Sequence, residues 1–248
     1  MRWLFLLSLL NVAYAFQPNN DELKAAVDLC IGLVPSGDCC RAPDGTMTNA
    51  GGNPCVNGVH LKDWDTSQVT DMSSLFERMT AFNEDISGWN TSKVTSMYRM
   101  FDHAEAFNQE IKSWDVSHVT NMDSMFYNAK KFNQYIGDWD VSQVTTMVLM
   151  FNGPTDFNQD IGKWDMRSVT DMRYMFKNAG AFNQEFCTDA WRDAYGTSLR
   201  TDWNLSSSAT VSDTCCPAGS YGHIKDQCTA CPTGALGNPT GTGCDCPE

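Results

Sequence analysis

The chain has 248 residues, 42% of them apolar and 11% aromatic, enough to bury a sizeable core and too many for a disordered tail or linker. Seventeen Lys and Arg stand against 30 Asp and Glu, a formal net charge of −13. That balance argues against nucleic acid as a partner, because phosphate contacts require a basic face.

Residues 1–15 open with Met-Arg-Trp, run through the apolar stretch Leu4–Leu10 and end in Ala13-Tyr14-Ala15. A positive start, a short apolar run and a small-x-small site form the pattern of a secretory signal peptide. The run is far short of the roughly 20 apolar residues that a spanning helix needs. The expected product begins near Phe16 and is secreted or associated with the cell surface, with no transmembrane segment in this chain.

Residues 16–60 are expected to form an N-terminal cap. Asp21–Cys30 reads as an amphipathic helix with acids in its first turn. Cys30, Cys39, Cys40 and Cys55 fall here, and Cys187, Cys215, Cys216, Cys228, Cys231, Cys244 and Cys246 lie at the other end, with none between. In an exported chain such clusters predict disulfides whose connectivity spacing cannot rank; zinc ligation by Cys228-x-x-Cys231 and Cys244-x-Cys246 is the lesser reading. The odd total of 11 leaves one thiol over.

Residues 61–186 repeat with a period of 25. Trp64, Trp89, Trp114, Trp139 and Trp164 keep that spacing, as do the columns beginning at Val69, Met72 and Phe76 and the Phe-Asn pairs beginning at Phe82. A period of this size indicates stacked units that complete one another's core. In Ile111-x-x-Trp114-x-Val116-x-x-Val119 the alternating Trp-x-Val predicts a short strand. Met122, Met125, Phe126, Ala129 and Phe132 recur at intervals that predict a helix. The expected fold is therefore an α/β repeat, a leucine-rich-repeat-like β/α solenoid of five 25-residue units with a helical N-cap and a small disulfide-rich C-terminal module. Residues 187–214, which lose the period but keep Trp191, Tyr195 and Trp203, are expected to cap the far end, and 215–248 to form the cysteine-rich module.

The unit Phe-Asn-x-x-Ile-x-x-Trp-Asp-Val-Ser-x-Val-Thr-x-Met-x-x-Met-Phe, best preserved at Phe107–Phe126, resembles the BspA-like leucine-rich repeats of surface and secreted proteins. That resemblance implies a curved solenoid outside the cell and, as in some bacterial members, adhesion to host matrix proteins; no enzymatic activity comes with it. The stretch from Cys216-Pro-Ala-Gly to Cys231-Pro-Thr-Gly is similar to the cysteine-rich modules of tumour-necrosis-factor and ephrin receptors, which implies a spacer or a second contact surface.

If each strand alternates, the residue after Trp points outward, placing Asp65, Asn90, Asp115, Asp140 and Asp165 in one file at about 4.8 Å spacing on a concave sheet. Such a file invites Ca²⁺ or a cationic ligand; the alternative is that each Asp satisfies nearby backbone N–H groups at a repeated turn. Asp63, Gly88, Ser113, Asp138 and Lys163, which vary between units on the same face, are the expected specificity positions. Asn204 and Asn90 begin glycosylation sequons. The histidines are scattered and no catalytic or phosphate-cradling motif appears. These features predict a secreted, non-enzymatic recognition or adhesion protein that binds an extracellular protein or glycan, with self-assembly into a structural matrix as the alternative and an extracellular hydrolase as a more remote one.

Overall fold

A computed structural model of the chain describes residues 19–33, 61–153, 156–186 and 191, together with five two-residue strand segments between 210 and 245. The leader at 1–15, the sequon at Asn204 and most of the cysteines lie outside the described residues. Cys30 and Cys244 fall within described backbone, in a helix and a strand respectively.

One helix, α1 (Asn20–Leu33), precedes the repeats. Asn19 and Glu22 start it by bonding each other's backbone N–H groups through their side chains at 3.0 and 3.1 Å, a capping box with Asn in the first place. Leu23 and Val27, on one face of α1, are fully buried in the core of the repeats. Asn20 Oδ1 accepts from the N–H groups of Thr70 and Asp71 at 2.9 and 3.2 Å, and Lys24 Nζ donates to the Ser74 carbonyl. The helix thus meets the Thr70 N–H, whose counterparts at Thr95, Thr120, Thr145 and Thr170 donate to the preceding coil.

The repeats do not contain the expected strand and helix. From Leu61 to Gln184 the described residues form a short 3₁₀ turn at Leu61–Asp63, successive turns and isolated bridges, and no strand or α-helix. A β/α solenoid is therefore not the architecture of this chain. The segment read as a helix, Met122–Phe132, is a chain of four-residue turns: Met125 N–H bonds to the Met122 carbonyl, Tyr127 to Ser124, Ala129 to Phe126 and Phe132 to Ala129. The intervening N–H groups of Met122, Ser124, Phe126 and Asn128 instead donate to the carbonyls of Thr146, Val148, Met150 and Asn152 in the next unit, at 2.8 to 3.0 Å. The N–H groups of Phe126 and Asn128, which a helix over this segment would bond four residues back, are thereby committed to a neighbour 24 residues away. Ser124 and Asn128 adopt φ of 56° and 53°, the left-handed conformation that a type II turn requires at its third residue. Consecutive turns and helices both bring every third residue to the same side, which is why the apolar spacing misleads.

The segment read as a strand keeps the alternation but joins no ladder. Trp114 and Val116 are buried and Asp115 is exposed, as alternation requires. The local bonds available there are turns: Trp114 N–H to the Ile111 carbonyl and Val119 N–H to that of Val116. Strand-like pairing occurs five residues further on, as single parallel bridges linking Asp71, Ser96, Asn121, Thr146 and Asp171 in order.

The interior is two files of phenylalanine and one of tryptophan. Phe76, Phe101, Phe126, Phe151 and Phe176 stack with ring centroids 5.4 to 5.6 Å apart. Within each unit the ring lies about 4 Å from its partner in the second file, as Phe126 does from Phe132 at 3.9 Å. Each tryptophan from Trp89 to Trp164 donates its indole N–H to a backbone carbonyl of the preceding unit, Trp114 to Ile86 and Trp139 to Ile111, so the polar edge of a buried ring is satisfied. Trp191 continues that file: it is fully buried, donates to the Ile161 carbonyl and stacks on Phe186 at 3.8 Å. Asn83, Asn108, Asn133, Asn158 and Asn183 form an outer ladder in which the side-chain oxygen of each of the first four accepts the backbone N–H of the next.

Beyond the fifth unit, β1 (Glu185–Phe186) pairs in parallel with β2 (Thr210–Val211), Glu185 opposite Thr210 and Phe186 opposite Val211. The separation is again 25 residues, so backbone register outlasts the side-chain motif. In the cysteine-rich stretch, β3 (Ser220–Tyr221) pairs antiparallel with β4 (Thr229–Ala230) and β5 (Leu236–Gly237) with β6 (Cys244–Asp245).

Candidate functional site

The file after Trp is built from turns. Asp65, Asn90, Asp115, Asp140 and Asp165 each accept, through Oδ1, the backbone N–H two residues on, at 3.0 to 3.2 Å. This is the Asx turn, and it recurs because the turn recurs. In Asn90 and Asp115 the same oxygen also receives the hydroxyl of Ser92 or Ser117, and Asp165 carries Arg167. No strand passes through these residues, so the concave sheet expected to display them is absent.

Those bonds hold several carboxyls below their ordinary range. The Ser117 hydroxyl, followed by its backbone N–H, lowers Asp115; Arg167 does the same for Asp165. For Asp171, burial pushes upward, but the side chain and N–H of Arg173 together outweigh it. A carboxyl whose pKa is lower folded than unfolded contributes stability that is present above its unfolded value and is lost as pH falls through the folded value. Thermal unfolding is therefore expected to keep a nearly constant midpoint from about pH 7 to 5 and to decline below about pH 4. Asp115→Asn is expected to flatten part of that decline; an unchanged acid profile would show that the turn does not stabilise the fold through charge.

The row before Trp is more open. Asp63, Gly88, Ser113, Asp138 and Lys163 are all exposed. Asp138 accepts from Tyr135 Oη at 2.9 Å and from Lys163 Nζ at 3.2 Å, and Tyr135, followed by Lys163, holds its carboxyl low. Ser113 Oγ donates to the Ser87 carbonyl.

Sequence reasoning overlooked a third surface, made by the residues between the two Met positions of the Met-x-x-Met-Phe turns, which are half-buried or exposed except for the buried Ser124. The first position after the leading Met is Ser73, Tyr98, Asp123, Val148 and Arg173; the second is Ser74, Arg99, Ser124, Leu149 and Tyr174. Both rows flank the parallel bridges. The signal available in the sequence is their variation between units that are otherwise nearly identical. Further along the same turns, the buried Asp102 bonds Nδ1 of His103, and Nε2 of His103 meets Asn128 Nδ2 at 3.0 Å. Both ring nitrogens are engaged, which pins the imidazole between the second and third units.

Among the described residues, no group of three His, Cys, Asp or Glu side chains is placed to share a metal ion. No described helix is long and apolar enough to cross a membrane.

The family described as "Mycoplasma protein of unknown function, DUF285" matches residues 47–136 and again residues 110–215. The chain belongs to this family. The second DUF285 match continues past Phe186 to include β2, in keeping with the 25-residue register that joins β1 to β2. No curated protein and no solved structure matches the chain.

Proposed function

We propose that the chain is a secreted, non-enzymatic recognition or adhesion protein that binds an extracellular protein or glycan through its stacked repeats. The observation that carries this reading is a division of labour within each unit. Trp, Val, Met and Phe recur in buried columns, while the outward slots beside them differ from unit to unit. An array that holds its backbone constant and varies its surface supplies many contacts at fixed spacing, as extended repeat proteins do when they bind. The signal-peptide pattern at 1–15 and the resemblance to BspA-like repeats support an extracellular setting. The rows containing Asp63 and Asp115 are one surface for such contacts.

The test is binding of the full-length oxidised protein to immobilised fibronectin, laminin, collagen and heparan sulfate at moderate salt. Saturable binding that excess soluble ligand displaces is the expected result. Failure with every surface, together with a disulfide-linked ladder on non-reducing gels, would replace recognition with self-assembly.

A further inference from the structure

We propose that the rows following the leading Met, centred on Val148, Leu149 and Tyr174, are a docking face for a protein with an apolar centre and a basic rim. The inference rests on the recognition reading and narrows it to one face and one class of partner.

The first argument is backbone strain. The second position after the leading Met has positive φ in every unit: 55° at Ser74, 54° at Arg99, 56° at Ser124, 59° at Leu149 and 60° at Tyr174. Residues other than Gly, Asn and Asp are disfavoured in that conformation, and bulky ones more than serine. Arg99 has a local reason to be there, since it lies 3.5 Å from Glu77 and 3.7 Å from Asp102. Leu149 has no comparable reason: its side chain is half-buried and does not join the core cluster. The interaction of Tyr174 is with the Lys177 ammonium over its ring at 5.0 Å. Folding alone would favour Asn or Gly at both positions, so large apolar groups there point to a use outside the fold.

The second argument is contiguity. Ser124 N–H bonds to the Val148 carbonyl and Leu149 N–H to that of Arg173, so Val148, Leu149 and Tyr174 occupy neighbouring rungs. Tyrosine and arginine are the residue types enriched at the centres of protein interfaces, and here they adjoin an aliphatic pair that extends the apolar patch.

The third argument is charge. The five bridge-and-turn segments, 71–78, 96–103, 121–128, 146–153 and 171–178, hold five acids and four cations. The remainder of 61–186 holds thirteen acids and seven cations. A nearly neutral face set in an acidic surround attracts a partner whose rim is basic and repels an acidic polysaccharide.

The probe is a random Lys–Tyr copolymer compared with polylysine of equal length, each immobilised and presented with the full chain. The copolymer is expected to bind about tenfold more tightly than polylysine. The variant L149N/Y174N is expected to bind both polymers alike while its Tm stays equal or rises by about 2–4 °C. K131Q, at an exposed position outside the rows beside Trp and after the leading Met, is expected to keep the difference. Equal binding of the two polymers by the unaltered protein, a difference that survives in L149N/Y174N, or a lower Tm in that variant would each overturn the proposal. Undiminished binding of L149N/Y174N to a matrix protein bound by the unaltered chain would remove this face and leave recognition standing, whereas no binding across the matrix panel would remove recognition itself.

Discussion

Replacing Phe126 with alanine is expected to destabilise the protein by about 4 kcal/mol, in the range for a fully buried aromatic that leaves a cavity. Phe126 is 0% exposed and sits in the middle of its file, 5.5 Å from Phe101, 5.6 Å from Phe151 and 3.9 Å from Phe132. Its loss interrupts the first file and removes the nearest of the rings on which Phe132 stacks. Because units in a stack depend on nearest neighbours, the damage is expected to divide the repeats as well as loosen them. Urea unfolding of F126A is expected to show a lower midpoint and a shallower slope than the unaltered chain. A loss below about 1 kcal/mol would mean that the Phe files are not the main source of cohesion between units.

Gly153→Ala is the second large effect, expected to cost roughly 3 kcal/mol. Gly153 has φ of 113°, outside the range that alanine tolerates, whereas Arg78, His103, Asn128 and Asn178 fill the same slot at 53° to 62°. A Cβ at Gly153 would lie 2.0 Å from Asn128 Oδ1 and 3.4 Å from Asn128 Cα. Asn128 has little freedom to yield, since its Nδ2 meets His103 and its N–H donates to the Asn152 carbonyl. Gly180→Ala serves as the comparison: a Cβ there meets nothing within 4 Å, and the change is expected to stay within about 0.5 kcal/mol. If thermal melts placed the two variants together, the close packing between the third and fourth units would be refuted.

Much of the interior was legible from the columns. Every apolar residue named in the Trp, Met and first Phe files is buried, because only a core position demands the same large apolar side chain every 25 residues. The Asp file was also legible as a turn, since a carboxylate two residues before an N–H satisfies it locally. The strand and the helix were misread for related reasons. Trp-x-Val buries alternate residues without a partner strand, and Met-x-x-Met-Phe has the spacing of a helix while its donors serve another coil. The rows after the leading Met are harder to recognise, because Trp-x-Val alternation directs the outward face to a sheet that is not there. The continuation to Val211 left almost no mark on side chains; its evidence is the pairing of Glu185 with Thr210.

Residue order alone sets the period, the number of motif-bearing units and which side chains face inward. All three follow from repetition of apolar residues at fixed intervals, and burial of such residues is the dominant favourable term in folding. The backbone conformation of each unit is settled by its stacking on the next. Whether Ser124 N–H bonds four residues back, as in a helix, or to Val148 in the next coil depends on the neighbouring unit being stacked against it, and local spacing carries no record of that contact.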